Sequence, residues 1–280
     1  MKRDAAGLAL GALVLAAAIV PSLSGAGCRS EGVRLLPVLE LYTSEGCSSC
    51  PPADRRLAEL VEAGIGEVVV ALALHVDYWD YLGWRDRFAD PRHTARQRAR
   101  VATAGGRVVY TPQWMLGDAV QLTRSDLDRG RLRARALGAE APAVTARLAA
   151  RIEGDQVEVD LHADAAPGQP QMQAWLLGWS SGLRSAVSAG ENRDRQLSHV
   201  RVLRRWQGPW PVSPGTPLSG LSRLPLESEA HAAQGLSLLL ASDDAAPAWA
   251  LDLPLDDCAR DPGPPLEAGP EPGDAPAPRA

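Results

Sequence analysis

Apolar and polar positions follow one rhythm up to about residue 140 and another after it. Val33 to Tyr42 is a short apolar run with β character, read as a buried strand. From Cys47, apolar positions at Ala53, Leu57, Leu60 and Val61 recur at helical spacing, and Gly64 ends the pattern. Glu67 to Val76 is a second near-continuous apolar run, the kind buried on both faces of a parallel sheet. Asp90-Pro91 predicts a helix start, with a stop at Gly105-Gly106. "VVYTPQWMLGDAVQL" predicts two short strands around Gly117-Asp118, and Ser125 with Asp128 predicts a capped helix ending near Gly138. The expected order is β-α-β-α-β-β-α.

From Pro142 strict alternation takes over. Val144, Ala146, Leu148, Ala150 and Ile152, a Gly154-Asp155 turn, then Val157, Val159 and Leu161 predict a hairpin with one face in a core. Strand-like runs follow at Met172–Trp179, Leu197–Trp206, Leu236–Leu240 and Trp249–Leu255, with "QGPWPVSPGTPLSG" expected as a long loop. The fold class expected is an α/β domain over residues 33–138 followed by an all-β, sandwich-like domain over residues 142–258.

The ends change this picture. Met1-Lys2-Arg3 followed by an apolar run from Ala5 to Val20 reads as a signal peptide over residues 1–27. Ser24-Gly25-Ala26 fits ordinary cleavage, whereas "GAGC" fits a lipoprotein site that would lipidate Cys28; only that second route implies a membrane partner. Residues 261–280, rich in Pro and poor in large apolar side chains, are expected to stay disordered. The expected address is exported, periplasmic or secreted. Net charge is −5, from 29 basic and 34 acidic residues, so no basic bulk points to nucleic acid.

Four cysteines remain: Cys28, Cys47, Cys50 and Cys258. Outside the cytosol disulfides persist, so a Cys28–Cys258 bridge tying the ends is expected, and it excludes lipidation of Cys28. Cys47 and Cys50 form a CxxC where a strand meets a helix. The unpaired N–H groups and the positive end of the helix dipole there favour thiolate over thiol, lowering a cysteine pKa from about 8.5 to roughly 3.5–7.5. Cys47 is then the nucleophile. Cys50, about one helical turn later, closes the disulfide or resolves a mixed one.

The strand, CxxC, strand, helix, Thr-Pro, hairpin and helix over Val33 to Gly138 resemble the thioredoxin superfamily. More narrowly, "LELYTSEGCSSCPPAD", "ALHVDYWDYLGWRDRFA", "ARQRA", "VYTPQ" and "GENRDRQLSHVRVLR" resemble the DUF1223 family, secreted bacterial proteins with a thioredoxin-like fold. The resemblance implies that fold, an exported address and, at Thr111-Pro112, a cis-proline whose neighbouring backbone docks an extended substrate. It implies no particular reaction. Gly46 departs from the aromatic residue usual before the first cysteine, and Ser48-Ser49 is neither a Gly-Pro nor a Pro-His dipeptide.

The function expected is thiol–disulfide exchange with protein thiols or disulfides of the cell envelope and with an unidentified redox partner. Cys47 and Cys50 are the reacting pair, and Thr111 and Pro112 the docking backbone. Glu40, Asp77 and His75 are candidate proton handlers, and Trp79 a groove wall. No organic cofactor is implied, because the disulfide carries the electrons. One alternative is a periplasmic copper site of Cys47, Cys50 and His75, a soft sulfur–nitrogen set. Another is a binding module that has lost catalysis. Arg92, Arg96, Arg98 and Arg100 are expected on a solvated helix face, and His93, His162, His199 and His231 in structural roles. Asn192 and His199 are expected to fix a loop at the domain interface.

Overall fold

Leu36–Thr43 is apolar on both faces because each face meets a different core. In the computed structural model, which describes residues 27–32, 35–118, 121–226, 233–243 and 245–258, this strand sits in a ring. The strands are β1 (Gly27–Gly32), β2 (Leu36–Thr43), β3 (Val70–His75), β4 (Gln113–Leu116), β5 (Val144–Glu153), β6 (Gln156–Ala165), β7 (Met172–Ser181), β8 (Leu183–Ala186), β9 (Gln196–His199), β10 (Val202–Val212), β11 (Leu218–Pro225), β12 (Ala233–Ala241) and β13 (Trp249–Pro254). The helices are α1 (Pro51–Glu62), α2 (Pro91–Thr103) and α3 (Arg129–Gly138). The expected signal peptide and Pro-rich tail lie outside the described residues, apart from Gly27.

Strand β2 runs parallel to β3, from Val38 opposite Val70 to Thr43 opposite His75. Strand β3 runs parallel to β10 through Ala73 and Val202. The sheet then continues antiparallel through β7, β12 and β13, and β13 returns to β2 at Trp249–Pro37 and Ala250–Leu36. Six strands therefore close into a barrel. Strand β4 takes the remaining length of the β2 edge, pairing Leu39 with Leu116 and Tyr42 with Gln113.

Alternation sorts the two faces. Val38, Tyr42, Val70, Leu72, Trp175, Leu177, Leu203, Leu239 and Ala250, drawn from every strand of the ring, pack together as the barrel interior. Leu39, Leu41, Ala71 and Ala73 face outward and bury Leu57 and Leu60 of α1 and Leu132 and Ala136 of α3. A separate antiparallel sheet, β1-β5-β6-β11, packs its apolar face on the outward residues of β7, β12 and β13, such as Leu176, Leu238 and Leu253.

This corrects the expected fold class. Of the described residues 44% lie in strands, and no separate thioredoxin-like α/β domain exists among them beside an all-β domain. Alternation and apolar runs report which faces of a strand are covered, not which strand lies beside it. The free edge of β3 is taken by β10 and that of β2 by β13, so the expected α/β sheet is completed by strands from the second half of the chain.

Local corrections follow the same logic. The Pro/Gly-rich "QGPWPVSPGTPLSG" is mostly strand: β10 runs to Val212 with an irregularity between Gln207 and Trp210, and β11 begins at Leu218. Around Gly117 only β4 is a strand among the described residues. Helix α3 starts one turn later than expected, because Asp128, not Ser125, accepts from the Arg131 N–H as its cap. Arg96 and Arg100 are buried rather than solvated, at 3% and 2% exposure, while Arg92 and Arg98 are exposed. Among the described residues no helix is long and apolar enough to cross a membrane.

Cys28 and Cys258 are bonded to each other, as are Cys47 and Cys50. The first bond joins the two ends of the described chain across 230 positions. Two disulfides fit an oxidising, exported environment.

Candidate redox site

The loop after β2 turns sharply: the Cys47 N–H donates to the Ser44 carbonyl, and the Cys50 N–H to that of Cys47. Helix α1 opens only at Pro51, with Cys50 as its cap residue and prolines in its first turn. Proline suits this place because those N–H groups have no helical partner. Cys47 thus lies in the turn before the helix, and it is fully buried, as is Cys50. Ser48 and Ser49 between them are exposed.

Cys47 Sγ stands 3.3 Å from Ser49 Oγ and 3.7 Å from the Thr111 carbonyl. The Thr111–Pro112 bond is cis. The Trp79 indole N–H donates to Thr111 Oγ1 at 2.7 Å, so Trp79 braces the segment facing the disulfide. The absence of a side chain at Gly46 has its reason here: a Cβ would come within 2.9 Å of Trp79 Cβ. Beside Ser49 and Pro112 opens a cleft of about 680 Å3, lined also by Pro52, Arg55, Trp114 and Leu122.

A second segment closes over the turn from the far half of the chain. The buried side-chain amide of Asn192 donates to the carbonyls of both Glu45 and Cys47, each at 2.8 Å. Its neighbour Glu191 accepts from the Ser48 N–H at 3.0 Å, which sets a carboxylate against the residue next to Cys47. The sequence singles out Asn192 but gives it no chemistry; the fold places it on the CxxC.

Behind the disulfide, on the outward face of β2 and β3, lies a buried group of titratable side chains. His75 Nδ1 is 2.6 Å from Asp86 Oδ2, and His199 Nε2 is 3.1 Å from Glu45 Oε1. The two imidazoles meet edge to face at 4.9 Å, and both touch Phe88, the chain's only phenylalanine. Their other nitrogens, His75 Nε2 and His199 Nδ1, are buried without a hydrogen-bond partner. Asp54 of α1 completes the group and accepts from Thr43 Oγ1 at 2.8 Å.

Burial opposes charge throughout this group, and partners decide each outcome. Burial alone would lower His75; Asp86, by charge and hydrogen bond, with Asp54 and Glu45, raises it instead. Burial would raise Asp86, yet His75 and the Glu45 and Phe88 N–H groups hold it below the usual carboxylate range. Glu45 is likewise lowered against burial, chiefly by the hydrogen bond from His199. Asp54 goes the other way: burial raises its carboxyl, and the two histidines and Thr43 only partly offset that.

Three expected roles change. Glu40 lies on the barrel-interior face of β2, opposite the disulfide. It binds Arg96 Nη2 and Arg100 Nη1 at 2.6 Å each and accepts from the Tyr42 hydroxyl at 3.0 Å. Burial would raise it, but the two guanidiniums keep it ionised, so it is an ion-pair anchor and not a proton handler for Cys50. Asp77, just past the end of β3, accepts from Thr94 Oγ1 of α2 at 2.5 Å and is tied to that helix. His75 is at the site but committed to Asp86, and among the described residues no three His, Cys, Asp or Glu side chains are arranged to hold a metal ion. His199, expected in a structural role, belongs to the site, whereas His231 lies outside the described residues.

Glu45, Asp86 and Glu191 escape sequence reasoning, since nothing in their spacing marks them. Asp54 had a signal: it stands four residues after Cys50 in a helix, hence on the same face.

No curated protein matches the chain. Among solved structures, protein AGR_C_4864 from Agrobacterium tumefaciens is 28% identical, covers 79% of this chain and 94% of its own, and superposes with a TM-score of 0.54. HBP35 of Porphyromonas gingivalis, 13% identical, covers 85% of this chain and 81% of its own with a TM-score of 0.60, a likeness of fold alone. The family model described as protein of unknown function (DUF1223) matches residues 38–239, which take in the CxxC turn, the Asn192 segment and all or most of every barrel strand but β13, and the chain belongs to that family.

Proposed function

We propose that the protein exchanges disulfides with envelope or secreted proteins through the Cys47–Cys50 pair. The observation that carries this reading is the placement of that disulfide at the cap of α1, with Cys47 Sγ against Ser49 and the Thr111 carbonyl, beside an open cleft. A bond closing so short a loop adds little stability through chain entropy, which argues for a redox use. In the oxidising direction, a partner thiolate attacks Cys47 Sγ, the S–S bond breaks, and its electron pair leaves on Cys50. A second partner thiolate then displaces Cys47, so the partner leaves oxidised and the CxxC reduced.

The fully buried Cys47 requires the Glu191–Asn192 segment or the Ser48-Ser49 turn to shift before a partner reaches it. Export by the N-terminal apolar segment into the periplasm or beyond supplies the compartment. The Cys28–Cys258 bond occupies the sulfur that a lipid would take, which favours a soluble mature protein.

The test is exchange with glutathione redox buffers and with a disulfide-containing model protein, using Cys47→Ser and Cys50→Ser. Wild-type turnover abolished by either substitution supports the reading. Exchange that is absent in the wild type, or unchanged in both variants, overturns it. The equilibrium with glutathione also gives the reduction potential, and so the direction of electron flow.

A further inference from the structure

Breaking or forming the Cys47–Cys50 bond moves a proton at Cys50, whose thiol has no access to solvent. Something buried must hold that proton. Glu40 is excluded by its ion pairs on the opposite face of β2. Asp54 is one turn along α1: its N–H donates to the Cys50 carbonyl at 3.0 Å, and residues four apart on a helix share a face. It is buried, at 7% exposure, and its carboxyl accepts from Thr43 Oγ1.

We propose that Asp54 takes the proton from Cys50 when the disulfide closes and returns it when the disulfide opens, with the Asp86–His75 and Glu45–His199 pairs behind it setting its charge balance. This rests on the exchange reading above. The geometry that carries it is one buried carboxyl, one turn from the resolving cysteine and hydrogen-bonded to Thr43, which pairs with His75 across β2 and β3, beside two touching imidazoles that each have one nitrogen held by a carboxylate and the other buried and unpartnered. The ionisable groups acting on Asp54 are His199 from β9, His75 from β3 and Asp86 from the loop before α2, with Cys50 at the cap of its own helix and Glu45 one step further, on His199.

The chemistry balances. In a mixed disulfide between Cys47 and glutathione, the Cys50 thiol gives its proton to the Asp54 carboxylate. The resulting thiolate attacks Cys47 Sγ, the bond from Cys47 to the glutathione sulfur breaks, and glutathione leaves as thiolate with the electron pair. The Cys50 sulfur is oxidised and the glutathione sulfur reduced. In reverse, neutral Asp54 protonates the Cys50 thiolate as it departs. Burial favours that neutral form and the histidines favour the charged one, leaving a raised carboxyl able to do both.

The experiment is to load the reduced full-length protein with oxidised glutathione and follow glutathione release against pH by rapid quench and mass spectrometry. In the wild type, release should gain rate through an inflection above the ordinary carboxylate range. Asp54→Asn, which keeps an acceptor for Thr43, should remove that inflection and slow release at neutral pH about 10-fold or more. Thr43→Val keeps the carboxyl and removes the hydrogen bond that favours its charged form, so the inflection should move to higher pH. That second variant carries the test if Asp54→Asn does not fold. A wild-type profile retained in Asp54→Asn, or an unmoved inflection in Thr43→Val, overturns the role of Asp54 while leaving exchange intact. No release from the wild type at any pH overturns the exchange reading, and this inference with it.

Discussion

Asn192 donates from its side-chain amide to the carbonyl of Cys47, 145 positions earlier, at 2.8 Å, and is itself fully buried. The same nitrogen holds the Glu45 carbonyl. One side chain from the second half of the chain thus holds two carbonyls of the turn that carries Cys47. Asn192→Ala leaves two buried carbonyls without this donor, at a cost of roughly 1–3 kcal/mol. The turn should also loosen, so that dithiothreitol reduces the Cys47–Cys50 bond faster than in the wild type. Denaturant unfolding and reduction kinetics read the two effects separately; a variant equally stable and equally slow to reduce would refute the clamp.

Glu191 acts on charge rather than on packing. Its carboxylate accepts the Ser48 N–H, and hydrogen bonding from the Ser48 side chain first and that N–H second holds it below the ordinary glutamate range. A negative charge here, bound to the residue next to Cys47, opposes a thiolate on that cysteine. In the reduced protein, Glu191→Gln should move the pH midpoint of iodoacetamide alkylation at Cys47 downward, with high salt shrinking the difference between the two proteins. An unmoved midpoint at low salt would show that the carboxylate has no hold on the sulfur.

Glu40 separates stability from chemistry. It is shared by Arg96 and Arg100, and removing its charge leaves two guanidiniums buried without an anion, a loss of about 3–5 kcal/mol. Its folded pKa is depressed below 4.5, so its contribution is present above that value and is lost as pH falls through the depressed one. Glu40→Gln should therefore lower stability at neutral pH and flatten the acid limb of the stability curve. Because Glu40 faces away from the disulfide, the glutathione equilibrium of the folded variant should stay that of the wild type.

The Glu40 result also marks how far the sequence could be read. Runs such as Leu36–Thr43 and Val70–His75 announce buried strands, and the CxxC with Pro51 announces a helix start, because these signals lie within a few residues. The ring that joins β3 to β10 and β2 to β13 leaves no such local mark, so a closed barrel looked like two domains. The face on which Glu40 falls depends on which residues of β2 point inward, and apolar neighbours on both sides hide that. His199 and Asn192 belong to a short family-like segment, yet their contacts with Glu45 and Cys47 arise only when the second half of the chain folds over the first. Asp54 was legible in principle, since a four-residue step from Cys50 is a local property of a helix.

His93 gives a pH dependence of the opposite sign to that of His75. It is buried in α2 with Nδ1 2.9 Å from the His75 carbonyl, which requires the neutral ring to donate from Nδ1. Burial, only partly offset by that hydrogen bond and by Asp90, lowers its pKa from 6.5 to about 4. The unfolded chain then binds a proton that the folded chain refuses, so stability is complete above pH 6.5 and falls as pH drops toward 4. A shift of this size corresponds to about 3 kcal/mol over that window. His75 has a raised pKa through Asp86, so its contribution is complete below 6.5 and is lost as pH rises through the raised value. His93→Gln removes the titration while keeping a donor for the carbonyl. Its stability should decline less than that of the wild type between pH 6.5 and 4, while the alkaline limb set by His75 stays in place. Urea unfolding at several pH values measures both limbs, and an acid slope identical in wild type and His93→Gln would assign the acid sensitivity to other groups.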